Sequence, residues 1–242
     1  MSRLRALRYR RHLVPLLSSG SRASGAAAFT PALLPSLAGW WAMEEGSGAR
    51  ADSSGNGLTL TDNNTVATAA GRVGLSANFT VADTEFLSRA SEAGLEAGDI
   101  AFYWAAWVRF GTGGMFRMIA SKMDAGTAGD YEFRLSNTDT LQFLAGGAFV
   151  AHASPLLTTT WYFVEAYHDP TANLIGVAIN NGAFTTAATA GANVASSNAF
   201  AIGRRGAEAN YYYDGLLDEV VFCKAIPSDA LRTQLYQYGG GA

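Results

Sequence analysis

The chain has 242 residues, of which 49% are hydrophobic and 15% are charged. This length suits one large all-β domain or two small ones, and the charged fraction lies below the roughly 25% of an average soluble domain. The single cysteine, Cys223, excludes an intrachain disulfide bond and is expected to be a small core residue. The net charge of −3 hides an asymmetry, because residues 1–43 contain six arginines and no acidic residue.

Residues 1–36 are predicted to form a basic arm and a linker rich in small residues. A secretion signal is disfavoured because the apolar stretch LVPLL is short and contains Pro15, while the Arg- and Ser-rich start also resembles an organellar presequence. Two further interpretations stay open: a disordered solubilising tail, or an arm that docks on an acidic protein surface, nucleic acid or anionic lipid. The docking interpretation assigns the contact to Arg3, Arg5, Arg8, Arg10 and Arg11.

From Leu37 onward, apolar residues repeat with the period of two that is typical of β-strands. The segment IAFYWAAWVRF (100–110) is apolar on both faces, which predicts a central strand covered on both sides. Asn181-Gly182 supplies residues that tolerate positive φ, as a tight hairpin requires. Many short strands of this kind, followed by one short C-terminal helix, predict an all-β sandwich over residues 37–242.

Short motifs follow one another along this body in a fixed order. They are Trp40–Gly48 with Asp52–Gly55, Gly71–Gly74 with Ala77–Phe79, Phe102–Val108, Ile119–Lys122, Trp161–Val164 with Ile179–Gly182, and Ile202–Gly203 with Gly215–Val220. In this order the motifs resemble those of laminin-G-like domains in the concanavalin A-like lectin/glucanase superfamily, and the resemblance covers about residues 37–238. It implies a jelly-roll of two antiparallel sheets that binds carbohydrate or protein, often with calcium at the rim.

The superfamily includes retaining glucanases, so the protein could be an enzyme or a binding module. The positions of its acidic residues distinguish the two. Such enzymes need two carboxyls about 5–5.5 Å apart, whereas the neighbours Asp218 and Glu219 are expected to point to opposite faces of a strand. Asp130 and Glu132 are spaced i, i+2 near a strand, but the third acid of the glucanase run Glu-x-Asp-x-(x)-Glu is missing. We therefore expect no catalytic residues.

One acid of the Asp218-Glu219 pair must face inward, where an isolated carboxylate is costly unless it is paired. In one interpretation it accepts backbone N–H bonds from a neighbouring turn. In the other, Asp218 and Asp52 supply hard oxygen ligands to a structural Ca²⁺ ion. The second interpretation draws on the resemblance, since in related folds a calcium ion joins the first strand region to the last.

The densest group of aromatic and basic loop residues lies shortly before the last strand. Because side chains alternate along an extended chain, at least one tyrosine of the Tyr211–Tyr213 run should point outward, where it could stack on a sugar ring or a partner protein. We predict a ligand site at Tyr211, Tyr213, Arg204 and Arg205. The alternative is that these tyrosines only pack at the edge of the sandwich.

Together these observations favour a non-enzymatic, lectin-like binding or structural module. A basic arm on such a body suits an accessory component of a larger assembly, such as a capsid decoration or fibre protein of a phage virion, exposed at the virion surface or outside a cell. The alternative function is a carbohydrate-active enzyme or its sugar-binding domain. Glycan and another protein are the expected partners, while nucleic-acid binding by the body and a membrane span are not indicated.

Overall fold

The computed structural model describes residues 29–123, 130–206 and 208–241. The predicted docking arginines at residues 1–28 lie outside the described residues. One α-helix, α1 (Asp229–Tyr238), follows the strands. The strands are β1 (Leu37–Trp41), β2 (Thr61–Asn63), β3 (Ala67–Ala70), β4 (Leu75–Phe79), β5 (Phe86–Arg89), β6 (Phe102–Phe110), β7 (Arg117–Ser121), β8 (Glu132–Leu135), β9 (Thr140–Ala145), β10 (Ala148–Pro155), β11 (Tyr162–Asp169), β12 (Leu174–Ile179), β13 (Thr185–Ala188), β14 (Phe200–Ile202) and β15 (Gly215–Cys223).

The strands form two antiparallel sheets that pack face to face. The back sheet has eight strands in the order β13-β12-β11-β6-β15-β4-β3, with β1 also paired to β15. The front sheet has seven strands in the order β10-β9-β8-β7-β14-β5-β2. This arrangement is a jelly-roll β-sandwich with a short C-terminal helix, and it confirms the predicted fold class.

Strand β6 has apolar side chains on both faces of the back sheet, and both faces are covered. It lies between β11 and β15, and its inward side chains, including Trp104, join the core between the two sheets. Its outward side chains, including Tyr103 and Trp107, join a second apolar cluster on the outer face. The prediction of a central strand covered on both sides is therefore confirmed.

The outer face of the back sheet is covered by α1 and by residues 29–34. Leu235 of α1 is 3% exposed and Leu34 is 4% exposed, and Phe29 packs against the same apolar cluster. Because these side chains remove apolar surface from water, the packed part of the chain includes residues 29–34, which lie before the predicted start at Leu37. Among the described residues, no helix has the length and apolar character that a membrane span requires.

A buried ion pair fixes α1 to the back sheet. Arg232 donates from Nε to Glu165 Oε1 at 2.6 Å and from Nη2 to Oε2 at 3.0 Å. The Tyr103 hydroxyl donates to Glu165 Oε1 at 2.8 Å, so the buried carboxylate is fully paired. Such bidentate geometry is what allows a carboxylate to stay charged away from water.

Candidate functional site: an aromatic cavity at the rim

Connecting segments converge at one end of the sandwich and form an open, solvent-exposed depression of about 330 Å³, here called the rim cavity. It is formed where β4, β6, β8 and β14 are followed by loops, so residues far apart in sequence meet there. Its lining is mainly apolar and aromatic. The lining residues are Val81, Met115, Phe116, Asn137, Tyr211 and Tyr212.

Tyr211 is the most exposed aromatic side chain of the rim cavity, at 36%. Its backbone has a φ of 54°, a left-handed conformation that is unfavourable for a residue with a bulky side chain. The conformation is held because Met118 N–H donates to Tyr211 O at 3.1 Å. Strain of this kind costs on the order of 1 kcal/mol or more, and it is often found at binding sites.

A closed network of charged and aromatic groups supports Tyr211 and Phe116 from behind; we call it the Glu132 network. Their rings make an edge contact at 5.4 Å between centroids. The guanidinium of Arg205 lies 5.0 Å from the Tyr211 ring centroid, and that of Arg134 lies 4.7 Å from the Phe116 centroid. Both guanidinium groups contact the same carboxylate, at 3.0 Å from Arg205 Nε to Glu132 Oε1 and 2.9 Å from Arg134 Nη1 to Glu132 Oε2.

The Glu132 network is electrostatically satisfied. Glu132 is completely buried, and its two oxygens are shared between the two arginines. Burial lowers the pKa of Arg205, but attraction to Glu132 and Glu208 outweighs it, so the pKa lies above its usual value. Burial lowers the pKa of Arg134. The network therefore holds the two rings rigidly while neither arginine is left without an acidic partner.

A second cation–aromatic pair lies beside the first. The Arg204 guanidinium is 3.7 Å from the Phe86 ring centroid, and Phe86 contacts Tyr212 at 6.3 Å between centroids. Arg204 also donates from Nη2 to Gly206 O at 2.8 Å. The predicted ligand residues Arg204 and Arg205 thus lie behind the aromatic rings and support them.

Tyr213 was predicted to belong to the ligand site, and this prediction is wrong. Its side chain is fully buried between the sheets and packs edge-on against Phe79 at 6.0 Å. Burial raises the pKa of Tyr213 far above its usual value. The positive φ at Tyr211 and the alternation that follows it place Tyr211 outward and Tyr213 inward.

Phe116, Asn137 and Val81 were not predicted to belong to a site. Each lies in a different loop, and none has a motif that marks it as functional. Arg134 was not predicted either. It lies two residues after Glu132 on β8, so the strand period of two places both side chains on the outer face, and this was the one available signal.

Asp52 and Asp218, the predicted calcium ligands, hold two different turns. Asp52 accepts backbone N–H bonds from Trp40 at 3.1 Å, Ser54 at 2.9 Å and Leu58 at 2.9 Å. Asp218 Oδ2 accepts bonds from Arg72 N at 2.7 Å and Val73 N at 3.0 Å. This agrees with the alternative interpretation, in which the inward carboxylate binds a turn.

The predicted pair does not fit a calcium site. Both oxygens of Asp52 are occupied by N–H donors, and in the ranges that the structure describes no three His, Cys, Asp or Glu residues are arranged to hold a metal ion. Calcium binding by this chain stays a prediction.

A β-bulge changes the expected orientation of Asp218 and Glu219. The register of β15 against β6 shifts between Asp218 and Val221, and Glu219 has a φ of 49°. As a result both carboxyls are buried, at 0% and 2% exposure, and Asp218 binds the turn at Arg72 while Glu219 Oε2 accepts a bond from Trp40 Nε1 at 2.5 Å. The expectation that the two carboxyls point to opposite faces of the strand is wrong, because both lie on the outer side of the back sheet, next to Trp40 and the turn at Arg72.

These two groups, called here the bulge carboxyls, are only partly paired. Asp218 Oδ1 and Glu219 Oε1 are buried and have no hydrogen-bond partner. Burial raises the pKa of Asp218 to about 7 and that of Glu219 to about 8. The negative charge of Glu44 adds to both shifts.

Asp130 and Glu132, the i, i+2 pair considered for catalysis, are both engaged in ion pairs. Asp130 lies 3.3 Å from Lys122 Nζ and accepts Gly98 N–H at 3.1 Å, with both charged side chains fully buried. Glu132 is held by the two arginines described above. Both carboxyls are completely buried.

The Laminin_G_3 family model, described as the concanavalin A-like lectin/glucanases superfamily, matches residues 89–230, more than half of the chain. The chain belongs to this superfamily. No curated protein is significantly similar in sequence.

Several solved structures share the fold of this superfamily member at low sequence identity. The binding domain of Paraclostridial Mosquitocidal Protein 1 has a TM-score of 0.68 at 12% identity, with 84% of this chain and 52% of that chain covered. Domain 4 of AbnA, a GH43 extracellular arabinanase from Geobacillus stearothermophilus in complex with arabinotriose, has a TM-score of 0.63 at 16% identity, covering 85% and 99%. A Trypanosoma rangeli sialidase has a TM-score of 0.64 at 12% identity, covering 93% and 35%.

The chain therefore spans about half of the mosquitocidal binding domain and about a third of the sialidase, but nearly all of the arabinanase domain. At these identities the comparisons establish the lectin-like fold.

Proposed function

We propose that the protein is a non-enzymatic glycan-binding module whose ligand contacts the rim cavity. The main support for glycan binding is the pair Tyr211 and Phe116, two partly exposed rings that the Glu132 network holds in a fixed orientation. A rigid aromatic surface loses little conformational entropy on binding, and a sugar ring presents C–H groups that pack on such a surface. The arabinanase domain of the same fold, solved with arabinotriose, supports this ligand class.

Absence of catalysis is part of the proposal. Acid–base chemistry on a glycosidic bond needs two carboxyls that can reach the bond. Asp130 and Glu132 are held in ion pairs, and the bulge carboxyls lie on the back sheet under Trp40 and α1. The alternative is a carbohydrate-active enzyme, because a sialidase and a domain of an arabinanase share the fold. A reducing-sugar assay distinguishes an enzyme from a binding module.

The test is a glycan-binding screen of the wild type and of three single variants. Tyr211→Ala and Phe116→Ala should each weaken binding by about tenfold, since an aromatic contact contributes roughly 0.5–1.5 kcal/mol and about 1.4 kcal/mol is a factor of ten in affinity. Phe149→Ala is the matched control, because Phe149 is 61% exposed on the edge strand β10. Binding that ignores Tyr211 and Phe116, or sugar turnover by the wild type, would contradict the proposal.

We further propose that the module is an accessory component of a larger assembly, such as a virion surface or another extracellular structure, docked by its basic arm. The six arginines among residues 1–43 support this, since guanidinium groups bind acidic surfaces through paired hydrogen bonds. Deletion should remove residues 1–28 and keep Phe29 and Leu34, which pack on the back sheet. The shortened protein should melt cooperatively and lose assembly with its partner. Normal assembly without the arm would overturn the docking role.

A further inference from the structure

The lining of the rim cavity combines apolar and aromatic side chains with one amide. We propose that it binds the acetamido group of an N-acetylated sugar, with the sugar ring on Tyr211. This inference rests on the proposed glycan-binding function and narrows its ligand class. It comes from the combination of one apolar wall, one exposed amide and the absence of charge among the six lining residues.

The apolar wall is formed by Val81 and Met115, both partly buried at the rim. A sugar that carries only hydroxyl groups would have to place some of them against this wall and lose hydrogen bonds to water. A methyl group is stabilised there, because its burial removes apolar surface from water. An acetamido group offers such a methyl on the sugar ring.

The amide of Asn137 complements the remaining part of an acetamido group. Asn137 is exposed in the turn between β8 and β9, and its side chain carries both a donor and an acceptor. The turn is fixed, since Asp139 N donates to Ser136 O at 3.0 Å and Ser136 N donates to Thr140 O at 2.9 Å. An amide held by a rigid turn can pair with the N–H and C=O of an acetamido group at low entropic cost.

Charge distribution argues against an acidic sugar as the group that the cavity selects. Arg134 and Arg205, whose guanidinium groups lie over the Phe116 and Tyr211 rings, already bind Glu132. A carboxylate in the cavity would face aromatic rings and apolar side chains. The volume of about 330 Å³ lies at the small end of ligand sites, which suits one sugar unit at the end of a glycan.

The experiment measures the affinity of the full chain for matched sugars by calorimetry or ligand-observed NMR. The probes are N-acetylglucosamine and N-acetylgalactosamine, against glucosamine, galactosamine, glucose and galactose. We expect the acetylated sugars to bind about tenfold more tightly, from one hydrogen bond and one buried methyl group. Asn137→Ala and Met115→Gln should remove most of this preference. Gln234→Ala, an exposed amide on α1, is the matched control and should keep it.

The outcomes separate this inference from the function on which it rests. Equal binding of acetylated and unacetylated sugars, still dependent on Tyr211, would overturn the acetamido assignment and leave the glycan-binding proposal standing. A preference for acetylated sugars that survives both Asn137→Ala and Met115→Gln would place the acetamido group elsewhere and would also overturn it. If Tyr211→Ala leaves the affinity for every sugar unchanged, the proposed function itself is overturned. Circular dichroism of each variant confirms that the fold is intact.

Discussion

The Glu132 network and the bulge carboxyls both bury acidic groups, but with opposite results. Glu132 has an arginine on each side, and both arginines in turn support aromatic rings at the rim. Asp218 and Glu219 each keep one buried oxygen without a partner. A satisfied buried charge fixes a geometry, whereas an unsatisfied one must take up a proton or cost stability.

The paired Glu132 and the partly unpaired bulge carboxyls lie on different sheets of the sandwich, and they support different parts of the molecule. Asp218 holds the turn at Arg72 and Val73, and Arg72 donates from Nε to Gly239 O at 2.9 Å just after α1. The bulge carboxyls therefore act on the attachment of the helix, which is a matter of stability. The Glu132 network supports the exposed rings of Tyr211 and Phe116, which belong to the proposed glycan site.

The largest expected effect comes from leaving a satisfied carboxylate without its cation. Arg232→Ala should lower the free energy of unfolding by about 3–5 kcal/mol, because Glu165 then stays buried and unpaired under α1. Chemical denaturation measures this. Asp229→Ala is the control, since Asp229 pairs with the same arginine but is 94% exposed, and it should change stability by less than about 1 kcal/mol. Equal effects of the two changes would contradict the assigned role of burial.

A second prediction compares the stability effects of Tyr213, which is buried between the sheets, and Tyr211, which lies at the rim two residues earlier. Tyr213→Ala should destabilise the fold by about 3 kcal/mol, because it leaves a cavity between the sheets beside Phe79. Tyr211→Ala should cost less than about 1 kcal/mol, since its ring lies at the rim. Thermal unfolding of both variants provides the measurement. A larger loss for Tyr211 than for Tyr213 would show that the inward and outward assignments are reversed.

The bulge carboxyls predict an effect of pH on stability. Their pKa values in the folded protein, about 7 and about 8, lie above the usual carboxyl values, so the folded state binds more protons than the unfolded state. Stability should therefore fall as pH rises from about 5 to 8, by on the order of a few kcal/mol, and level off above the higher of the two pKa values. The groups that face the pair are Glu44, Arg72 and Tyr238.

Urea denaturation of the wild type and of Asp218→Asn from pH 5 to pH 9 checks this expectation. The variant should show a weaker pH dependence, while Asp83→Asn, which removes an exposed carboxyl, should match the wild type. The series is repeated with EDTA, because a bound calcium ion would neutralise the same charges and flatten the curve. A rise of stability between pH 5 and 8 would contradict the assignment.

Much of the fold follows from patterns that the sequence displays locally. Strand β6 was predictable because both of its side-chain rows are apolar, and the order of the motifs indicated the jelly-roll. The bulge in β15 was not predictable. It arises where Glu219 adopts a positive φ and the strand register shifts, and no local sequence pattern marks that position. The packing of Phe29 and Leu34 was also missed, because isolated apolar residues in a small-residue segment resemble a linker.

The candidate site was only partly predictable for a related reason. Tyr211 stood out as an aromatic residue next to arginines, and it lines the rim cavity. Val81, Phe116 and Asn137 join it from three other loops, and the sequence distance between loops carries no information about their meeting point. The Glu132 network likewise depends on the pairing of β8 with β7 and on the path of the loop after β14.

The smallest expected effect on stability tests the strained backbone of Tyr211. Because glycine adopts a positive φ without steric cost, Tyr211→Gly should be more stable than Tyr211→Ala by about 0.5–1 kcal/mol, even though glycine is more flexible in the unfolded chain. Both variants should lose glycan binding to the same extent, because both remove the ring. Denaturation and binding are therefore measured on the same samples. If alanine proves as stable as glycine, the left-handed conformation is not maintained in solution, and the Met118–Tyr211 backbone bond does not hold the ring in place.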